Sequence, residues 1–134
     1  MQFLWSDAWL LQAIAVAARS EPATLAEVLA AADAVNHALP TDEELHGGLA
    51  RLTGEGFVEE IEDRFRLTSR VPLEIRSTIV ESGWKRGRDA ASALLNAEAW
   101  TPRTNVGDPR NNLTYPGLTA DRIRDAERER RRRR

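Results

Sequence analysis

Arginine is the residue type with the most chemistry to offer in this chain, and its positions fall into a pair and a run. Arg64 and Arg66 alternate with Phe65 and Leu67, so on an extended strand both guanidinium groups leave the same face, where each can contact a phosphate. Glu59, Glu60 and Glu62 lie within reach across a turn and offer a plainer use for them, cross-strand pairing. Arg130, Arg131 and Arg132 belong to a terminal run of five arginines, which can neutralise phosphates without reading sequence or can remain a solvated end.

Other chemistries find little material. Cysteine is absent, which removes disulfides, thiolate metal sites and one class of nucleophile. His37 and His46 are the only imidazoles, so a zinc site would need carboxylates and has no recognisable ligand pattern, and no metal or redox cofactor is expected. There is no glycine loop of the phosphate-cradling kind and no nucleophile elbow, and no spacing joins Ser, His and Asp into a triad. An enzyme is therefore not expected.

The elements that must position the arginines can be read from capping chemistry. Ser6, with Trp5 before it and Leu10 after, predicts the start of a first helix that buries Leu10, Leu11, Ile14, Ala17 and Ala18. Thr24 with Glu27, and Thr41 with Glu44, are capping boxes that open two further helices. The second buries Leu25, Val28, Leu29, Ala32 and Val35, and the third Leu45, Leu49 and Leu52. Gly54 to Gly56 ends the third, and from Phe57 the period becomes alternating. Val58 and Ile61 fall on one strand, Glu62 and Asp63 on a turn, and Phe65 and Leu67 on the buried face of the returning strand. Gly47 and Gly48 each weaken the third helix by about 1 kcal/mol relative to alanine, which close approach of another helix or of a nucleic-acid backbone would offset.

Residues 6–68 resemble the winged helix-turn-helix domain of small bacterial transcription regulators, of the multiple-antibiotic-resistance and phenolic-acid-decarboxylase repressor types. The leucine-spaced helix, the Gly54-Glu55-Gly56 break, Phe57-Val58-Glu59-Glu60 and the closing Phe65-Arg66-Leu67-Thr68 carry the likeness. It implies a mainly α fold with a small β-hairpin, extended by additional C-terminal helices, and a role as a DNA-binding transcription regulator. On that role the third helix enters the major groove and the hairpin lies along the neighbouring backbone. His46 and Arg51 become the base-side candidates, with Arg64 and Arg66 the contacts to double-stranded DNA phosphates.

The outermost positions of the third helix depart from that pattern. They are Glu43, Gly47 and Ala50, of which two can scarcely read a base and one repels phosphate. First-turn acids also complement the helix dipole. The same scaffold serves elsewhere as a protein-interaction module, which makes a non-DNA-binding partner protein the main alternative. A ligand-binding or structural protein built on the Trp-containing C-terminal helices is the third.

A chain of 134 residues, 42% hydrophobic, encloses one modest core, and divides into residues 1–70, the C-terminal helices 71–100, and a loop with an Arg-rich tail, 101–134. Trp84, Ala91, Leu94 and Leu95 make a stripe that can fold back on the first helix or build a homodimer. Lys85, Arg86 and Arg88 gather at a helix start, against the dipole. Thr119 can cap a last helix. Residues 1–70 hold five arginines against twelve acids, a net of −7, while residues 122–134 hold eight against three, a net of +5, so head and tail can attract each other or an outside partner. The apolar stretch 8–18 has no basic flank and falls short of the roughly 20 residues that cross a bilayer. A cytoplasmic protein with no membrane segment is expected.

Overall fold

The structure, a computed structural model, describes residues 2–99, 110 and 112–132. Helix α1 (Trp5–Ala17) is buried on every side from Ser6 to Ala15, as a run with little polar relief must be. Its first turn is fixed by Asp7, whose Oδ2 accepts the Leu4 N–H at 2.7 Å. Ser6 therefore is not the cap: the N-cap is Leu4, and Ser6 lies buried inside the helix. A carboxylate reaching back from the third position makes a charge-assisted bond that a hydroxyl does not match.

Helices α2 (Leu25–Asn36) and α3 (Asp42–Gly54) start where their capping boxes predict. Thr24 Oγ1 accepts the Glu27 N–H at 3.2 Å and Glu27 Oε1 accepts the Thr24 N–H at 3.0 Å. Thr41 and Glu44 repeat the exchange at 3.1 and 2.9 Å, each box satisfying two otherwise orphaned donors. All the apolar residues expected on the inner faces of α2 and α3 are buried. Helix α3 comes so close to α1 that a Cβ on Gly48 would stand 2.6 Å from Leu10 Cδ2. Another helix is thus what Gly48 accommodates.

Gly56, at φ +79°, turns the chain into β2 (Val58–Ile61) and β3 (Arg64–Leu67). Glu62 and Asp63 both take positive φ, the two-residue turn whose twist matches a tight hairpin. Strand β1 (Ala23–Thr24), which no period announces in two residues, adds to the other edge of β3 with Ala23 opposite Phe65, giving the antiparallel order β1-β3-β2. The protein is mainly helical with this small three-stranded sheet.

Helix α4 (Leu73–Glu81) and helix α5 (Trp84–Leu95) are separated by Gly83 at φ +91° and return to α1. Ile79, Ala91 and Leu95 are buried in the same core as α1, and Gln12 Nε2 donates to the Trp84 carbonyl at 2.8 Å. Trp84, expected on the apolar stripe, is 43% exposed. Arg88 donates to Asn36 Oδ1 at 3.1 Å and stacks over the Trp5 ring, which draws one cation of its cluster away from the start of α5. Helix α6 (Ala120–Arg132), its N-terminus capped by Thr119 Oγ1 on the Arg122 N–H, packs along α2. The expectations for Trp100, for the loop at 101–109 and for the last two arginines lie outside the described residues. Among the described residues no helix is long and apolar enough to cross a membrane.

Two alanine substitutions separate helix propensity from packing. A Cβ on Gly87 would stand 2.4 Å from the Ile79 carbonyl oxygen, whereas one on Gly54 meets nothing within 4 Å. Gly54→Ala is expected to raise unfolding free energy by up to about 1 kcal/mol. Gly87→Ala is expected to lower it by about 1–3 kcal/mol, because a backbone atom cannot rotate aside. Urea denaturation of both variants checks the opposite signs.

Candidate functional site

The site is built on the outer face of α3 and the hairpin beside it, and its first determinant is an ion pair beneath that face. Arg51 Nε and Nη2 meet Asp7 Oδ2 and Oδ1 at 2.7 and 2.9 Å, with 3% and 0% of the two side chains exposed. Gly48, one helical turn before Arg51, leaves the space: its missing Cβ would lie 3.3 Å from Asp7 Oδ1. Arg51 Nη1 also donates to the Arg110 carbonyl at 2.6 Å. Arg51, expected on the flank toward a base, is instead directed into the α1–α3 contact, because a buried carboxylate calls for a bidentate partner.

His46 sits at the edge of the same face, half-buried. Its Nδ1 accepts the Tyr115 N–H at 3.0 Å, so this nitrogen is not available to a base edge or a phosphate. The chain's C-terminal segment thus touches α3 through both Arg110 and Tyr115. Gly47, which the helical projection puts outermost, is buried, and Glu43 remains exposed.

From His46 the contacts run on to the hairpin. The Tyr115 hydroxyl donates to Glu60 Oε1 at 2.6 Å, and Arg122 Nη2 reaches Glu60 Oε2 at 2.9 Å. The phenol packs against Phe65 with ring centroids 6.4 Å apart, and the Arg122 guanidinium lies 5.4 Å from the same ring. Burial first, then the Glu60 carboxylate as acceptor and as a negative charge, push the Tyr115 ionisation above the ordinary phenol range, against the opposing charge of Arg122. The hydroxyl is a proton donor at any physiological pH.

Most of the remaining arginines pair with acids. Arg66 stands opposite Glu59 in the strand register and pairs with it at 2.6 Å, each side chain nearly half exposed; such a pair contributes about 0–1 kcal/mol. Arg64 leaves the same face, 3.4 Å from the Pro22 carbonyl and 3.9 Å from Glu27. Arg130, expected in a solvated or phosphate-binding tail, is buried between Glu127 and Asp33 at 2.6 and 3.4 Å. Glu127 draws the Arg130 ionisation further up, and Arg130 in turn draws that of Glu127 down. Arg131 is exposed and pairs with Glu127 at 3.2 Å, and Arg132 is exposed at the end of α6. Pairing with nearby acids, with Arg130 and Arg131 sharing Glu127, and not convergence on one surface, describes the set apart from Arg132. Among the described residues no group of three His, Asp or Glu converges as a metal site.

Asp7, Glu60, Tyr115 and Arg122 carry the arrangement, and no local spacing marks them. Tyr115 and Glu60 are 55 residues apart, and Asp7 and Arg51 are 44 apart.

Removal of one partner from the buried pair leaves an uncompensated charge. Arg51→Leu is expected to lower unfolding free energy by about 3–5 kcal/mol, a large part of the roughly 5–15 kcal/mol a domain holds. Asp7→Leu combined with Arg51→Leu is expected to recover most of that loss. Urea midpoints of the single and double variants measure it; a double variant as unstable as the single one contradicts the assignment.

Comparison of the chain with protein-family models, with curated proteins and with solved structures finds no match, so function is argued from this geometry alone.

Proposed function

We propose that the chain is a winged helix-turn-helix scaffold that binds a protein partner and does not read DNA through α3. Support for the scaffold comes from the element order, three helices followed by a hairpin, with β1 between the first two helices and paired to β3. The observation that carries the function is the cover over α3. Arg110 and Tyr115 lie against Arg51 and His46, the two base-side candidates of that helix, and occupy the Arg51 Nη1 donor and the His46 Nδ1 acceptor. What α3 and the hairpin turn leave exposed is acidic: Asp42 and Glu43 in the first turn, Glu62 and Asp63 at the tip. Such a surface repels a phosphate backbone and suits a basic protein. A homodimer is not needed to bury Ala91 and Leu95, which pack in the chain's own core.

A second reading, a DNA-binding transcription regulator, draws support from Arg64 and Arg66, which share the outer face of β3 and are each about half exposed. Contacts there position a duplex without specifying its sequence.

Titration with mixed-sequence duplex at about 50 and about 200 mM salt discriminates the two. On the protein-partner reading, any low-salt affinity is lost on replacing Arg131 and Arg132 with alanine and is unchanged by His46→Ala. Affinity that survives loss of those arginines but falls at least tenfold in Arg64→Ala with Arg66→Ala establishes the second reading instead.

A further inference from the structure

The way α6 is held identifies a seat for a helix. Its apolar attachment is slight: Ala126 is buried, Ile123 is partly buried, and Leu118 is buried just before the helix begins. By contrast, ten consecutive residues of α1 are buried. An open cleft of about 460 Å³ runs beside α6 and the start of α2, bordered by Leu25, Ala26, Arg122 and Ala126. The rest of the attachment is charge. Arg122 reaches Glu60 on β2 at 2.9 Å, and Arg130, oriented by Glu127 of α6 itself at 2.6 Å, reaches Asp33 on α2 at 3.4 Å.

These contacts have a simple period. Arg122, Ala126 and Arg130 stand at i, i+4 and i+8, one side of a helix over roughly 12 Å at about 1.5 Å per residue. Two carboxylates on separate elements, Glu60 and Asp33, receive the arginines, and the small apolar residue settles between them against α2. The opposite side of α6 exposes Arg124, Arg128 and Arg131 with no large apolar group, so this helix contributes little to the core that the other helices share.

We propose that the surface between Glu60 and Asp33 is a docking seat for an arginine-bearing amphipathic helix, and that a basic helix of a partner protein takes it by displacing α6. The pattern it recognises is Arg-x3-small-x3-Arg on one helical side. This rests on the reading of the chain as a protein-binding scaffold and names the chemistry of what it binds. Charge complementarity argues for this occupant, and the chain's own α6 shows the fit. A tethered helix faces its seat at an effective concentration on the order of millimolar, so α6 acts as a built-in competitor that a partner must outbid. Elements with few buried apolar contacts are the ones that open locally without global unfolding.

The test uses the full chain and a fluorescently labelled peptide of residues 112–132, followed by anisotropy at about 150 mM salt, where long-range charge attraction is screened. Arg122→Glu with Arg130→Glu frees the seat from within. The peptide is expected to bind this opened chain at least tenfold more tightly than the unaltered one. Adding Glu60→Lys and Asp33→Lys is expected to cut that affinity at least tenfold, and a peptide carrying the two Arg→Glu changes is expected to restore it on the reversed seat. Equal binding to opened and unaltered chains, or binding indifferent to seat reversal, overturns the proposal. Hydrogen exchange on the unaltered chain gives a reading that needs no variant: α6 amides are expected to exchange well ahead of those of α1, and exchange of both only together overturns it. Neither result bears on the duplex titration, so a scaffold that rejects DNA can still fail here.

Discussion

The buried pair of Asp7 and Arg51 is the constraint on which the rest of the structure depends. One carboxylate caps α1 through the Leu4 amide and binds Arg51 of α3 through both oxygens. Taking two charges out of water costs several kcal/mol per ion, and attraction offsets this only when the geometry is good and the remaining donors are used. Here the geometry is bidentate, and a further guanidinium donor meets the Arg110 carbonyl. The pair therefore fixes how α3 lies on α1 and gives the C-terminal segment its first foothold. It also takes from α3 its one guanidinium.

That foothold explains how a chain with opposed charges at its two ends arranges itself. The acidic first half and the basic last helix meet within one molecule, at Glu60 with Arg122 and at Asp33 with Arg130. The arginine-rich end, which composition alone assigns equally to solvent or to nucleic acid, is thus partly consumed by the fold. Its exposed outer side keeps i, i+3 and i, i+4 pairs along the helix, such as Arg131 with Glu127, and pairs of that kind contribute only a few tenths of a kcal/mol each.

What was legible in the sequence is what short-range chemistry decides. A capping box is complete within four residues, so Thr24 with Glu27 and Thr41 with Glu44 announced their helices; the Glu62-Asp63 turn and the alternation around Phe65 announced the hairpin. The cross-strand pairing of Glu59 with Arg66 followed from the same register. Ser6 misled because a serine before an apolar helix is a good cap only if no better acceptor follows, and Asp7 follows. Strand β1 was too short to have a period. The fate of Arg51 and the crossing of α3 by Tyr115 depend on partners more than forty residues away. Nothing in the local pattern encodes them. Trp84 belonged to the stripe by spacing alone, but its backbone carbonyl, not its indole, is what α5 presents to Gln12.

Tyr115 is the only tyrosine in the chain, and it stands where α3, the hairpin and the C-terminal segment meet. Its phenol donates to a carboxylate and lies against an aromatic ring, so the magnetic environment of its ring protons is set by that junction. The protein consequently carries an intrinsic gauge of its own closure: with one tyrosine in the chain, a ring resonance assigned to tyrosine belongs to this junction alone.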